Sequence, residues 1–92
     1  MFRLDGKVII ITGAGGLLGR RHAEAIAEHG GTPVLLDLKI EPLEKFANQL
    51  NVKYQVNAFA MVVDISNEDE VLNSSNFILE KFGKLDALVN NA

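Results

Sequence analysis

The residues best placed to do chemistry are glycines. Thr12-Gly13-Ala14-Gly15-Gly16-Leu17-Leu18-Gly19 follows directly on the apolar run Val8-Ile9-Ile10-Ile11 and leads into a helical pattern. A buried strand that ends in a glycine turn and opens a helix lets backbone approach a pyrophosphate, whose charge meets the free N–H groups of the first helical turn. Further on, Asp37 closes a second apolar run, Val34-Leu35-Leu36. A carboxylate at that strand end can accept hydrogen bonds from the hydroxyls of an adenosine ribose. It also repels a 2′-phosphate, by about 1–4 kcal/mol per charge pair at ~4 Å. Taken singly, the two features are a plain turn and a polar strand end. Taken together at this spacing, they read as a dinucleotide site that favours NAD over NADP.

Other reactive side chains form weaker constellations. His22 and His29 lie seven apart on one predicted helix, too far for a helical zinc pair, and read as solvated histidines. The absence of cysteine excludes disulfides and thiolate zinc sites, and no metal site is expected. Arg20 and Arg21 stand near enough to the turn to approach a phosphate, against the simpler reading of surface charge. Ser74 and Ser75 have no base at hand and are expected on a solvated helix face. Glu68-Asp69-Glu70 suits the positive end of a helix dipole better than a metal.

The elements that would position these groups alternate regularly. Val8–Ile11 is a continuous β-branched run, as in a parallel strand covered on both faces. From Leu17 the pattern turns helical, with Leu18, Ala23, Ile26 and Ala27 on one face, and Gly30-Gly31 supplies a stop. Pro33 is tolerated only near the start of the next strand, which ends at Asp37. A second helix starts around Glu41-Pro42 and buries Leu43, Phe46, Ala47 and Leu50. Asn51–Asn57 reads as a polar connection, and Ala58–Val63 as a third strand ending in Asp64. Ser66, three residues ahead of Asp69, resembles a helix cap. The third helix is expected from about Glu68 to Phe82, burying Val71, Leu72, Phe77 or Ile78, and Phe82, with Gly83 as its stop. Leu85–Val89 is a fourth strand. The order βαβαβαβ predicts right-handed crossovers, a parallel sheet of spatial order 3-2-1-4 with three crossover helices, and a ligand crevice at the carboxyl ends of strands 1 and 4.

Composition bounds the class. Ninety-two residues with 48% apolar side chains suit one small domain or part of a larger one. A net charge of −3, without a basic stripe, gives no footprint for nucleic acid. The apolar runs are strand-length, far below the ~20 residues of a membrane span, and the polar N-terminus does not read as a signal peptide. The expected location is cytoplasmic, with no membrane partner. An outermost fourth strand as apolar as Leu85, Leu88 and Val89 would be an exposed pairing template. The expectation is that residues 1–92 are the N-terminal portion of a single dinucleotide-binding domain, cut after its fourth strand.

These motifs resemble the short-chain dehydrogenase/reductase family. The resemblance runs along the whole chain: Leu4-Asp5-Gly6-Lys7, the Thr-Gly turn, Asp37, Asp64-Ile65, and Leu85-Asp86-Ala87-Leu88-Val89-Asn90-Asn91-Ala92. It implies a cofactor cradle made by Gly13, Ala14, Gly15, Gly16, Leu18 and Gly19. It further implies that Asp37 lies at the ribose, Asp64 and Ile65 lie against the adenine, and Asn91 and Ala92 lie beside the cofactor. Asn90 would brace the fourth strand. One position departs from the compact members' Thr-Gly-x-x-x-Gly-x-Gly, which puts glycine where Leu17 stands. The spacing here is that of the longer nucleotide-sugar epimerase and dehydratase branch, while the Asp-Gly-Lys lead-in and the Asn-Asn-Ala ending favour the compact branch. The form Gly15-Gly16-Leu17-Leu18-Gly19 is also similar to oxidoreductases linked to flagellin glycosylation.

Family chemistry requires a Ser and a Tyr-x-x-x-Lys pair, because a free tyrosine titrates near 10 and needs a neighbouring ammonium to act near neutrality. Tyr54 is the sole tyrosine and Ala58 stands four residues later, so no catalytic residue is assigned within the chain. The resemblance implies the NAD-binding portion of an oxidoreductase that acts on a small alcohol or carbonyl substrate, with a homo-oligomeric parent. Two alternatives stand beside it, a non-catalytic dinucleotide sensor and an epimerase or dehydratase of the extended branch. A methyltransferase would carry an acidic residue before its glycines, where Ile10, Ile11 and Thr12 stand.

Overall fold

A computed structural model describes residues 3–91. It contains β1 (Val8–Thr12), α1 (Leu17–Glu28), β2 (Thr32–Asp37), α2 (Glu41–Tyr54), β3 (Phe59–Val62), α3 (Glu68–Phe82) and β4 (Ala87–Asn90). The four strands are all parallel, in the order β3-β2-β1-β4. This is the expected Rossmann-type arrangement. The chain steps from β1 to β2 to β3 in one direction, then crosses back over the sheet through α3 to place β4 on the other side of β1.

Strand alternation divides the core into two layers. Ile9, Ile11 and Leu35 point to one face and pack with Ala23, Ile26 and Ala27 of α1 and Leu43, Ala47 and Leu50 of α2. Val8, Ile10, Val34 and Leu36 point to the other, where Val63 and Ile78 cover them. Every residue of β1 is buried, which explains its unbroken β-branched run. Each such side chain contributes about 1.5–3 kcal/mol relative to full exposure.

Several local expectations are corrected. Leu18 is 58% exposed, and Gly19 takes the buried place on α1 because only a residue without a side chain fits against the loop. On α3, Val71 and Leu72 are exposed; of the alternatives Phe77 and Ile78 it is Ile78 that is buried, and Ser74 is buried with it. Ser74 is tolerated there because its hydroxyl donates to the Val71 carbonyl at 2.9 Å. The α3 cap is Asn67, whose Oδ1 accepts from the N–H groups of Asp69 and Glu70 at 3.0 and 3.2 Å. Ser66 instead donates to Asp64. The connection after α2 is shorter than expected, because the helix runs to Tyr54 and ends at Gln55 in the left-handed region. Asn51 is helical and clamps Ala58, donating to its carbonyl at 3.0 Å and accepting from its N–H at 2.5 Å.

Candidate dinucleotide site

The site lies where β1, β2 and β4 end together. Thr12 is opposite Leu36 on one side and Asn90 on the other, so the loop after β1 starts at the point where the winding reverses. Gly13 has φ +62°, a left-handed conformation that favours glycine. The Ala14 N–H donates to the Leu36 carbonyl at 3.2 Å, fastening the loop to β2. Arg20 N–H donates to Gly16 O at 3.0 Å and starts the helical ladder, leaving the N–H groups of Leu17, Leu18 and Gly19 ahead of it. A Cβ on Gly19 would stand 2.5 Å from Gly13 O and 2.8 Å from Ala14 Cα. Glycine at 19 is therefore what lets α1 start so close to the strand.

Asp37 is held at both oxygens. Oδ2 accepts from the Gly15 N–H and Oδ1 from the Leu38 N–H, each at 2.7 Å. Its carboxylate is thus fixed beside the glycine turn, and a Cβ on Gly15 would stand 2.6 Å from Oδ2. A cavity of about 120 Å³ opens between Gly13, Leu36, Asp37, Leu38, Val63, Asp64 and Ile65. Asp64 reaches this rim through a turn of its own. Its Oδ1 accepts from the Ser66 hydroxyl at 2.6 Å and from the Ser66 N–H at 3.0 Å. These bonds, the hydroxyl first, hold the Asp64 carboxyl below the usual carboxylate range.

The far side of the crevice is built by Thr12, Asn90 and Asn91. Thr12 Oγ1 donates to Asn90 Oδ1 at 2.8 Å and accepts from the Asn91 N–H at 3.3 Å. Asn90 therefore ties β4 to β1, the bracing place expected for it. Asn91 Nδ2 is buried and, among the described residues, has no hydrogen-bond partner. Ala92 lies outside the described residues. The glycine cradle, the small cavity beside Asp37 and the orphaned amide together fit an adenine dinucleotide laid across the strand ends.

The structure brings Gly13, Ala14, Gly15, Gly16, Gly19, Asp37, Asp64 and Ile65 to one end of the sheet, with Asn91 across the switch point and exposed Leu18 on the first turn of α1. Sequence reasoning missed the hydroxyl of Thr12, which knits the two halves. It also missed Val63 and Leu38, which line the cavity and carry no polar signal. Tyr54 stands at the far end of α2, where it packs against the core, with Lys53 Nζ 5.2 Å from its ring centroid. Among the described residues no cluster of three metal-ligating side chains occurs, and no helix is long and apolar enough to cross a membrane.

Comparison with known proteins places this geometry. Residues 7–92 match the family model for short chain dehydrogenase. Short-chain dehydrogenase reductase 3b of Arabidopsis thaliana is 38% identical over 90 residues, covering 98% of this chain and 34% of the relative. Among solved structures, an NAD+-bound xylitol dehydrogenase superposes with a TM-score of 0.90 at 38% identity, over 97% of this chain and 34% of that one. An NADPH-dependent 3-quinuclidinone reductase from Rhodotorula rubra also reaches 0.90, at 33% identity over 96% and 33%. The chain spans about a third of the length of these relatives. Its strand order, glycine turn and matched sequence agree along the shared length, and the chain belongs to the short-chain dehydrogenase family.

Proposed function

We propose that this chain forms the adenosine- and pyrophosphate-binding part of an oxidoreductase that uses NAD and acts on an alcohol or carbonyl group. The observation that carries the reading is Asp37, whose carboxylate is fixed at both oxygens beside the glycine turn. Relatives of similar likeness use either cofactor, as the NAD+-bound and NADPH-dependent structures illustrate, so the preference rests on that carboxylate. It is placed to accept from ribose hydroxyls and to repel a 2′-phosphate.

The backbone from Gly13 to Gly16, with Leu18 and Gly19 in the first helical turn, would hold the pyrophosphate against the positive end of α1. Asp64 and Ile65 would border the adenine, and Asn91 would offer its spare amide donor across the crevice. A nicotinamide cofactor supplies hydride acceptance or donation when bound. What these residues do is bind and orient it. Tyr54 lies away from the site and has no lysine four residues on, so we assign the proton step to none of the described residues.

Substitution at Asp37 is the test. Asp37→Ala should weaken NAD binding about tenfold and narrow the gap to NADP, consistent with loss of charge-assisted hydrogen bonds worth ~1.5–3 kcal/mol. Calorimetric or NMR titration with each cofactor reads the outcome. If the unsubstituted protein binds NADP as tightly as NAD, the assigned preference is wrong.

A further inference from the structure

Asp64, on the rim of the cavity beside Asp37, is held at its side chain, its carbonyl and its N–H. Its Oδ1 takes the Ser66 hydroxyl and N–H, and its carbonyl accepts from the Asn67 N–H at 3.0 Å. These bonds close the turn from Asp64 to Asn67 on itself. Its own N–H reaches further along the chain and donates to Glu70 Oε1 at 3.1 Å. Behind it, the Val63 N–H donates to Asp37 O at 3.0 Å, so the turn departs beside the residue that closes β2. Glu70 stands four residues before Ser74 and eight before Ile78, the two buried positions of α3. It therefore continues the sheet-facing line of α3 past the end of β3, where the turn begins. Glu68 and Asp69 share its charge and its helical turn, and among the described residues neither side chain bonds to Asp64.

Resting on the dinucleotide reading and deepening it, we propose that Glu70 is a positioning residue for the adenine end of the site. It accepts the Asp64 N–H and so fixes to α3 the turn whose Asp64 and Ile65 border the base. It touches no part of the ligand itself. The rival role is a charge that favours the positive end of the α3 dipole. A dipole charge acts through its sign and is shared with Glu68 and Asp69. A positioning acceptor acts through reach, which Glu68 and Asp69 do not supply. The two roles diverge under conservative substitution. Glu70→Gln keeps an acceptor oxygen at the same reach and loses the charge. Glu70→Asp keeps the charge and shortens the side chain by one methylene, which draws the acceptor away from the Asp64 N–H.

Titration of the chain with NAD and with inorganic pyrophosphate, followed by NMR at the backbone amides, separates these roles. Urea unfolding of each variant reports on folding. Glu70→Asp should weaken NAD about threefold to tenfold, the size of one lost hydrogen bond, and leave pyrophosphate within about twofold. Glu70→Gln should hold NAD within about twofold of the unsubstituted chain, and Glu68→Gln should do the same. Weakening by Glu70→Gln but not by Glu70→Asp would make Glu70 a helix charge. Equal weakening of NAD and pyrophosphate by Glu70→Asp would make it a general support of the fold, and no change in either would make it a surface acid; each of these results overturns the proposal. In the unsubstituted chain, NAD should shift the amides of Gly13–Gly16 and those of Asp64 and Ile65. A response at the glycines alone would leave the dinucleotide reading standing and overturn the role given to Glu70. A response at neither would overturn the dinucleotide reading and the proposal with it.

Discussion

A methyl group added at Gly19 and one added at Gly15 would meet different obstacles. At Gly19 the obstacle is backbone, Gly13 O at 2.5 Å and Ala14 Cα at 2.8 Å, neither of which can rotate away. Gly19→Ala must push α1 off the loop, and the expected cost is about 1–3 kcal/mol, the usual range for overpacking. At Gly15 the obstacle is Asp37 Oδ2 at 2.6 Å, the far end of a side chain that the Gly15 and Leu38 N–H groups hold, and the glycine is not in the left-handed region. Gly15→Ala should therefore cost less than Gly19→Ala, about 0.5–1.5 kcal/mol, the worth of the Gly15 N–H to Asp37 bond that must yield. Urea unfolding of the two variants makes the comparison, and equal destabilisation would show that the Asp37 carboxylate is as immovable as backbone. The glycine spacing was legible in sequence because it reflects a backbone requirement. Which neighbour each glycine answers to was not, since Gly13 and Asp37 approach only once the strands have paired.

β4 is attached to β1 at both ends by side chains as well as by the ladder. At its start, the Val8 N–H donates to Asp86 Oδ2 at 2.8 Å while the Asp86 N–H donates to Val8 O at 2.9 Å. At its end stands the Thr12–Asn90 bond. The Val8 hydrogen bond, then Lys84 with Nζ at 3.2 Å, holds the Asp86 carboxyl below its ordinary value. A carboxylate depressed in the folded state stabilises it above the unfolded pKa of about 3.9, and that contribution is lost as pH falls through the lower folded value. Asp86→Asn should therefore destabilise the protein at neutral pH and make little difference near pH 2, in thermal melts across that range. A variant whose deficit persists at the acid end would show that shape, not charge, fixes β4. On α3, Asn67→Ala should cost about 1 kcal/mol through loss of the cap, and Ser66→Ala clearly less, by urea unfolding. The helix and strand order was legible because apolar period and glycine stops carry it. The buried face of α3 was not: Val71, Leu72 and Phe77 are as apolar as Ile78, and α3 crosses only part of a four-stranded sheet. The apolar period therefore exceeds the surface available to bury it.

At the scale of the molecule, the two faces of the sheet are unequally covered. α1 and α2 close one face over a continuous core, whereas among the described residues α3 is the one helix on the other. Between α3 and β4 lies an open cavity of about 280 Å³, lined by Ile10, Val71, Ser75, Leu85, Leu88 and others, and Leu88 is 61% exposed. β4 is also an outer strand of the described sheet. Such a small sheet buries a modest share of its surface, so the expected stability of the 92-residue chain is low, and cofactor binding must draw on it. The proposed site is the adenosine and pyrophosphate end of the crevice, and the chain spans about a third of the length of its relatives. Binding of NAD by the isolated chain is expected near the millimolar range, about −4 kcal/mol. No hydride transfer is expected with any alcohol or ketone, since Tyr54 is far from the crevice and unpaired with a lysine at the family spacing. Calorimetry with NAD and an absorbance assay for NADH test both statements. Micromolar affinity would show that the strand ends of β1, β2 and β4 suffice to hold the cofactor, and reproducible turnover would require a proton donor among residues to which no catalytic role is given.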